Sequence, residues 1–306
     1  MRLRSLSLLA ALVTATAPAI AGGLPPSLGL HPYLSAWNAG RLSHIAEIDN
    51  DSLLLNRDDG FYTSGLRYTA ASSLGAHSAG WRIGQELYTA SDINLRGSQL
   101  RRGDHPYAAW AYVGVFGKTE QTDGSSRLLG LDLGCLGPCA GGRAVQTRLH
   151  KLLNQPLPQA WDTQFKNEAG AMLYGAWTPR RWNASANVDF TPVLQARFGN
   201  IHTDASAGLT LRAGQLAPGG VHAVLRMEAR AVGYDATLQG GYFNDDEPRA
   251  VQPKRLTGEL ELGVCWQGGE WDLAASVIRR ANEVRGLPAS LGAQNFVRLR
   301  LAYTPR

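Results

Sequence analysis

The sequence predicts an all-β protein, a twelve-stranded antiparallel transmembrane β-barrel with long extracellular loops, one of which carries a short helix. Three observations carry that expectation. Twelve segments alternate between apolar and polar side chains, the pattern of strands with two chemically different faces. Many of them reach the ~9–11 residues a tilted membrane strand needs, and their number is even. The connections between them alternate between short and long, as they do in outer-membrane barrels.

The chain opens with a basic head, Met1-Arg2-Leu3-Arg4, followed by the mostly apolar run Leu6 to Ile20 and the small-residue site Ala19-Ile20-Ala21. This is the layout of a secretory signal peptide over residues 1–21, with the barrel domain occupying 22–306 and the mature chain starting at Gly22. Pro18 and Pro25-Pro26 would break an ordinary helix there. Removing Arg2 and Arg4 leaves 28 basic against 25 acidic side chains, so the formal charge falls from +5 to +3. That mild excess suits a surface near anionic lipid or sugar phosphate and makes no case for nucleic acid. No stretch of the mature chain approaches the ~18–20 apolar residues of a membrane-spanning helix.

The strand-like segments are 41–49, 61–72, 80–89, 106–117, 126–134, 169–178, 184–195, 203–213, 222–235, 255–266, 271–280 and 294–304. In the tenth, Leu256, Gly258, Leu260, Leu262 and Val264 interleave with Thr257, Glu259, Glu261 and Gly263. In the ninth, Leu225, Met227, Ala229 and Ala231 interleave with Arg226, Glu228 and Arg230. In a membrane barrel the apolar set faces lipid and the charged set faces the lumen. With both ends of the chain periplasmic, the turns 73–79, 118–125, 179–183, 214–221 and 267–270 are periplasmic. The loops 50–60, 90–105, 135–168, 196–202, 236–254 and 281–293 are then extracellular. Aromatics near strand ends (Tyr68, Trp81, Tyr88, Tyr107, Trp110, Trp177, Trp182, Tyr234, Trp266, Trp271 and Tyr303) suit interfacial girdles. No internal repeat or linker divides the chain.

The three cysteines do not make a disulfide scaffold. Cys135 and Cys139 are close enough to bridge if their loop allows it, and Cys265 reads as a small strand residue, buried or lipid-facing. The chemistry-bearing residues gather at the extracellular side. Asp49-Asn50-Asp51 ends the first strand, Tyr62-Thr63-Ser64-Gly65 opens the second, and Asp92, Arg101, Arg102, Asp104 and His105 lie in the second loop. The third loop, the longest, carries Gln146, His150, Gln164 and Glu168. A short helix is expected there, with Val145, Leu149 and Leu152 on one face and Gln146 and His150, four residues apart, on another. Taken singly, each of these is ordinary turn or surface chemistry. Together they offer an imidazole that can act as a base at neutral pH, hard oxygen ligands and positioning hydroxyls.

Several ordered motifs carry a resemblance: Asn50-Asp51; Asp59-Gly60-Phe61-Tyr62-Thr63-Ser64-Gly65-Leu66; Gly84-Gln85-Glu86-Leu87-Tyr88-Thr89; Asp104-His105-Pro106-Tyr107-Ala108-Ala109-Trp110; Asp132-Leu133-Gly134 through Gly137-Pro138; and Gln146, His150, Trp161-Asp162-Thr163-Gln164 and Asn167-Glu168. From about Ile48 to Glu168 the chain resembles the lipid A 3′-O-deacylases of outer membranes, the LpxR type. The resemblance implies a twelve-stranded barrel with its site between the wall and the outer leaflet. It also implies calcium-dependent hydrolysis of the 3′-linked acyloxyacyl ester of lipid A. By motif, His150 matches the general base, and Asn50, Asp51, Thr63 and Ser64 match essential polar residues. Asn50 and Asp51 are then candidate Ca²⁺ ligands, and Arg101, Arg102, Gln146, Gln164 and Glu168 candidate contacts to substrate. The expected partner is lipopolysaccharide of the outer leaflet, and the expected state is a membrane-embedded monomer.

The chain departs from the family pattern in three places. Asp49 stands where Glu is usual, His105 and Ala109 stand in a motif that usually reads Asp-Arg-Pro-Tyr-Ala-Gly-Trp, and the chain ends Thr-Pro-Arg without a terminal aromatic. Two other readings stay open on the residues alone. One is a serine esterase or phospholipase using Ser64 with His150; the other is a non-enzymatic pore or surface-binding barrel.

Overall fold

Thirteen antiparallel strands form one continuous sheet, and twelve of them close into a barrel. They are β1 (Arg41–Asn50), β2 (Phe61–Leu74), β3 (His77–Thr89), β4 (Ala108–Glu120), β5 (Ser126–Leu136), β6 (Glu168–Thr178), β7 (Trp182–Ser185), β8 (Val188–Gly199), β9 (His202–Gly214), β10 (Val221–Asp235), β11 (Leu256–Gly268), β12 (Trp271–Arg280) and β13 (Gln294–Tyr303). The computed structural model describes residues 29–54, 60–244, 246–288 and 292–305. The signal segment 1–21 and the expected start at Gly22 lie outside the described residues. Among the described residues three α-helices accompany the strands: α1 (His31–Ala39), α2 (Gly142–Leu152) and α3 (Ala236–Gln239).

Closure comes from two seams. β1 pairs with β13 from His44↔Tyr303 to Asn50↔Val297, and β6 pairs with β8 from Met172↔Gly199 to Trp177↔Leu194. β7 is an addition: it pairs with the start of β8 alone, at the turn end, so the twelve-strand wall passes it by. The expected turn at 179–183 is therefore a small hairpin, and β8 runs four residues later than the alternation suggested. α1 and α3 were not expected. The first lies before any strand signal, and the second is a single turn capped by Asp235, whose side chain accepts from the Thr237 amide.

The alternation decides which side each residue occupies. Leu256, Leu260, Leu262, Val264 and Trp266 on β11, Leu273 and Val277 on β12, and Leu299 and Leu301 on β13 are all exposed on the outside. The same belt continues through Leu66, Ile83, Val113, Leu129, Leu133, Leu173 and Leu194. A contiguous apolar band around a closed barrel is stable only against hydrocarbon. Cys265 alternates with this set and pairs with His222 and Ala274, so it faces the lumen. Several expected girdle aromatics also turn inward. Tyr88 and Trp110 belong to the interior cluster with Tyr62, Tyr112, Leu136, Phe165 and Phe296, Tyr234 packs against it, and Tyr107 is buried in a second cluster with Trp161. Trp81, Trp177, Trp182, Trp266, Trp271 and Tyr303 remain outside near the turn end, and Tyr68 outside at the middle of β2.

The lumen is crossed by ion pairs. Asp49 is fully buried and accepts from Arg298 Nε at 2.7 Å, Arg67 Nη2 at 2.7 Å and the Tyr62 hydroxyl at 2.9 Å. Arg82 donates to Asp132 and lies 3.6 Å from the Tyr174 ring centroid. Asp204 takes Arg197 and Arg230, Asp189 takes Arg212, and Glu259 takes Arg280. A cavity of about 90 Å³ remains among Asp49, Arg67, Arg197, Arg230, Glu259, Arg280 and Arg298. Ten of the strands thus contribute charge to these pairs, and the interior is a packed polar core.

Two substitutions separate the faces. Asp49→Ala leaves two arginines without their shared carboxylate, and breaking a buried pair costs about 3–5 kcal/mol. Leu262→Arg puts a charge on the lipid face, at about 2–4 kcal/mol near the bilayer midplane. Equilibrium unfolding in vesicles by urea is expected to show both losses, while Arg300→Gln on the rim of the same network changes stability by less than about 1 kcal/mol.

Candidate active site on the outer wall

The loop end of β1 and β2 splits the acidic motif between two compartments. Asp49 points into the lumen, whereas Asn50, next along β1, sits in register with Ser64 on the outward face. Ser64 is in register with Leu87, and Leu87 with Ala109. Asn50, Ser64, Leu87 and Ala109 therefore form one row across four strands, at the loop end of the lipid-facing wall.

A bulge makes this rim irregular. The β2–β3 register shifts between Tyr62 and Ser64, which leaves Thr63 as the extra residue. Bulges re-aim side chains beside functional sites. Thr63 is buried, and its hydroxyl lies 2.7 Å from that of Thr89. Its carbonyl accepts from the Asp51 amide at 3.3 Å and from Asn50 Nδ2 at 3.4 Å. Asp51 is 2% exposed, and its carboxylate accepts from the Gly60 amide at 3.1 Å and the Ser52 hydroxyl at 3.4 Å. Phe61 takes φ +62° at the first position of β2, a left-handed conformation rare for a bulky residue. Asn50, Asp51, Thr63 and Ser64 are thus brought together by one strained corner.

α2 lies over the same row. A Cβ added to Gly142 would fall 2.6 Å from Ala109 Cβ and 2.9 Å from Leu87 Cδ2, so this glycine allows the helix to lie directly on the wall. Gly142, Gln146 and His150, spaced by four, are its buried residues. Val145, Leu152 and Leu153 face outward. The outer side of the helix is mixed, with Arg143, Arg148 and Lys151 exposed beside Val145 and Leu152, while Gln146 and His150 face protein. Gln146 Oε1 accepts from Trp161 Nε1 at 2.7 Å, while Gln146 Nε2 is buried without a hydrogen-bond partner among the described residues. His150 Nδ1 lies 2.6 Å from the Pro156 carbonyl. That contact places the ring proton on Nδ1 and leaves Nε2 as the basic nitrogen.

The turn that launches α2 is held at three points. Cys135 and Cys139 are disulfide-bonded, with Cα atoms 6.0 Å apart. Gln85 Nε2 donates to the Ala140 carbonyl at 2.6 Å, and Asn167 Oδ1 accepts from the Cys139 amide at 2.8 Å. Beneath the helix, Tyr107 and Trp161 meet edge to face at 5.1 Å. Residue typing alone missed Gln85 as a support, although it lies within the Gly-Gln-Glu-Leu-Tyr-Thr motif; an outward amide in an otherwise apolar strand face was the available signal.

The remaining candidates lie elsewhere. Arg101 and Arg102 line a cavity of about 520 Å³ in the loops, with Arg249, Asp104, His105 and Tyr107. His105 is buried, stacked on Tyr88 at 5.6 Å and edge-on to Phe61 at 5.8 Å. Burial holds its imidazole pKa below the ordinary value, so it stands neutral. Asp92 caps its own turn through the Asn94 amide. Gln164 Oε1 is buried without a hydrogen-bond partner among the described residues. The Glu168 carboxylate accepts from Asn200 Nδ2, the Tyr242 and Phe243 amides and Asn244 Nδ2, at 2.8–3.0 Å. It anchors the tip of the fifth loop to the barrel mouth.

The donor set at the β1–β2 corner is chemically suited to a hard cation. One carboxylate, one carboxamide and nearby backbone carbonyls are the oxygens that Ca²⁺ prefers. Among the described residues no group of three or more His, Cys, Asp or Glu side chains is placed to hold a metal. A cation here would depend on Asp51 and Asn50 with backbone and solvent oxygens.

Comparison with known proteins follows the geometry. The sequence profile of the outer membrane protein LpxR family matches residues 6–304. LpxR from Salmonella typhimurium superimposes with a TM-score of 0.73 at 23% identity, covering 86% of this chain and 100% of that one. The β domain of the Bordetella autotransporter BrkA follows at a TM-score of 0.47 and 13% identity, covering 86% and 98%. No curated protein matches by sequence. With the profile spanning nearly the whole chain and the closed barrel in agreement, the protein is an outer-membrane β-barrel that belongs to the LpxR family.

Proposed function

We propose that the chain is a lipid A 3′-O-deacylase, a carboxylic ester hydrolase that removes the 3′-linked acyloxyacyl group from lipid A in the outer leaflet. The observation that carries this reading is the position of α2. Gln146 and His150 are buried on its inner face, the helix lies on the lipid-facing wall over Leu87 and Ala109, and Ser64 and Asn50 continue that row on the adjoining strands β2 and β1. A site outside the barrel, at the loop end of an apolar belt, is open to an ester in the outer leaflet and remote from soluble substrates. The packed lumen supports an enzyme over a pore.

His150 Nε2 accepts a proton from water as the water oxygen attacks the ester carbonyl. The Nδ1 contact to the Pro156 carbonyl holds the ring in that tautomer and steadies the imidazolium that forms. The carbonyl oxygen gains charge, and Gln146 Nε2 offers it a buried donor that no protein group among the described residues uses. As the tetrahedral intermediate collapses, the sugar oxygen leaves with the proton held by His150, and the acyloxyacyl chain departs as a carboxylic acid. Asn50 and Asp51 would hold Ca²⁺, which supplies Lewis-acid polarisation of the ester carbonyl when bound. Thr63 fixes the corner through its carbonyl and Thr89, and Ser64 lines the row as a positioning hydroxyl. Arg101 and Arg102 offer charge to phosphate or acidic sugar above the membrane.

In detergent-solubilised protein assayed for fatty-acid release from lipopolysaccharide, His150→Ala is expected to lower kcat by about 10²–10⁴ while heat-modifiable migration stays normal. Retention of near-normal turnover would refute the hydrolytic site. Gln146→Glu keeps the acceptor for Trp161 and replaces the buried donor with oxygen. The expected loss is about 10²–10³ in kcat, with KM little changed.

Chelation is expected to stop turnover and added Ca²⁺ to restore it, with Asp51→Ala raising the Ca²⁺ needed or abolishing activity. Mass spectrometry of the parent enzyme during turnover separates the mechanisms. An acyl adduct on Ser64, together with indifference to chelator, would replace the calcium–water route with a serine esterase.

A further inference from the structure

The element that neither the barrel nor the proposed site requires is α1. Its sequence, His31-Pro32-Tyr33-Leu34-Ser35-Ala36-Trp37-Asn38-Ala39, holds no Lys, Arg, Asp or Glu. Pro32 lies in its first turn, where a missing amide costs nothing, and the Gly40 amide closes the last turn on the Ala36 carbonyl at 2.8 Å. The helix lies against the outside of the wall, at the turn end of β2, β3 and β4. The Tyr33 hydroxyl is 2.8 Å from that of Thr119, and its ring meets His77 edge-on at 5.4 Å. Ala36 is fully buried, and the outward-facing Ser72 and Ala79 beneath the helix are buried. A Cβ on Gly117 would sit 3.0 Å from the Tyr33 ring, and one on Gly40 2.7 Å from Ser72 Oγ. Small residues on three strands thus form the recess that α1 fills.

The opposite face of α1 is open and apolar. Leu30, Leu34 and Trp37, at helical spacing, are 75%, 58% and 47% exposed. This face is continuous with the barrel's lipid-facing belt, since Leu42, Leu74 and Trp81 beside it are exposed on the same side. It also completes a ring. Trp81, Trp177, Trp266, Trp271 and Tyr303 supply aromatics at the turn end, whereas β4 offers only Val115 and Gly117 there. Interfacial girdles are built from Trp and Tyr.

We infer that α1 is an interfacial anchor, lying in the periplasmic leaflet of the outer membrane with Leu30, Leu34 and Trp37 in phospholipid. The occupant of this face is lipid rather than a protein, because the face continues a surface that lipid already covers. The absence of charge makes the contact one of buried apolar area, insensitive to salt and to anionic headgroups. The helix clamps the periplasmic end of β2–β4, and the other end of β3 and β4 carries α2.

The test uses the mature chain refolded into phosphatidylcholine vesicles brominated either near the acyl ester or near the chain end. The chain has eight tryptophans, so the Trp37 signal is the difference between the parent and Trp37→Phe. The expected result is quenching of that difference by the ester-proximal bromines, about twofold or more beyond that by aqueous iodide, and unchanged by added salt. Gly117→Leu, which pushes Tyr33 off its recess, is expected to lose about half of the lipid quenching while the barrel stays heat-modifiable. Quenching by iodide with none from lipid would overturn the inference. So would protection that appears only as protein density in the vesicle rises, which would assign the face to a second copy, and so would indifference to Gly117→Leu.

Discussion

Hydrocarbon offers no partner to a backbone amide, so every strand crossing it must be paired on both edges. The two seams, β1 with β13 and β6 with β8, meet that demand, and most other features follow from it. A closed wall with an apolar outside has to place its polar side chains within. The lumen of a twelve-stranded barrel is then crowded with charge, and those charges are stable only when paired. Asp49, held by Arg67, Arg298 and Tyr62, joins β1, β2 and β13 across the seam between the first and last strands.

A lumen filled in this way leaves little space, and the proposed site lies on the outside of the wall. Two local departures from regular strand geometry allow it. The bulge at Thr63 ends the alternation of β2 and gathers Asn50, Asp51 and Ser64 at one corner. The glycine at 142 lets α2 lie flat on Leu87 and Ala109, with Gln146 and His150 turned inward. The disulfide, Gln85 and Asn167 hold the turn from which the helix starts. Rigid support of this kind matters because a site facing fluid lipid receives none from its surroundings.

The two helices on the outer wall share a sector. α2 covers the loop end of β3 and β4, and α1 covers the turn end of β2, β3 and β4. Between them lies an open apolar groove of about 590 Å³ along Leu66, Ile83, Ala111, Val113 and Leu133. The rest of the circumference has no such elements among the described residues. The barrel is therefore asymmetric in the membrane, with one sector elaborated at both interfaces.

Alternation, strand number and loop asymmetry were legible in the sequence because they repeat with period two, and lipid imposes that period on every strand. His150 and Gln146 on one helical face, and the rim position of Asn50, Asp51, Thr63 and Ser64, could be read from spacing alone. Tertiary structure decided the rest. Whether Asp49 joined Asn50 or left it depends on which face of β1 each occupies, and a one-residue difference reverses the answer. Tyr88 and Trp110 look like girdle residues until register sends them to the lumen. Glu168 reads from the sequence as a candidate substrate contact; its four donors are Asn200 in the fourth loop and Tyr242, Phe243 and Asn244 in the fifth, the last three more than seventy residues away. α1 gave no strand signal and no strong motif, because what makes it a helix is a recess of small residues on three distant strands. Local periodicity determined the barrel, since each strand meets the same two solvents. Only the closed structure decided the partners of individual side chains, because those come from residues far apart in the chain.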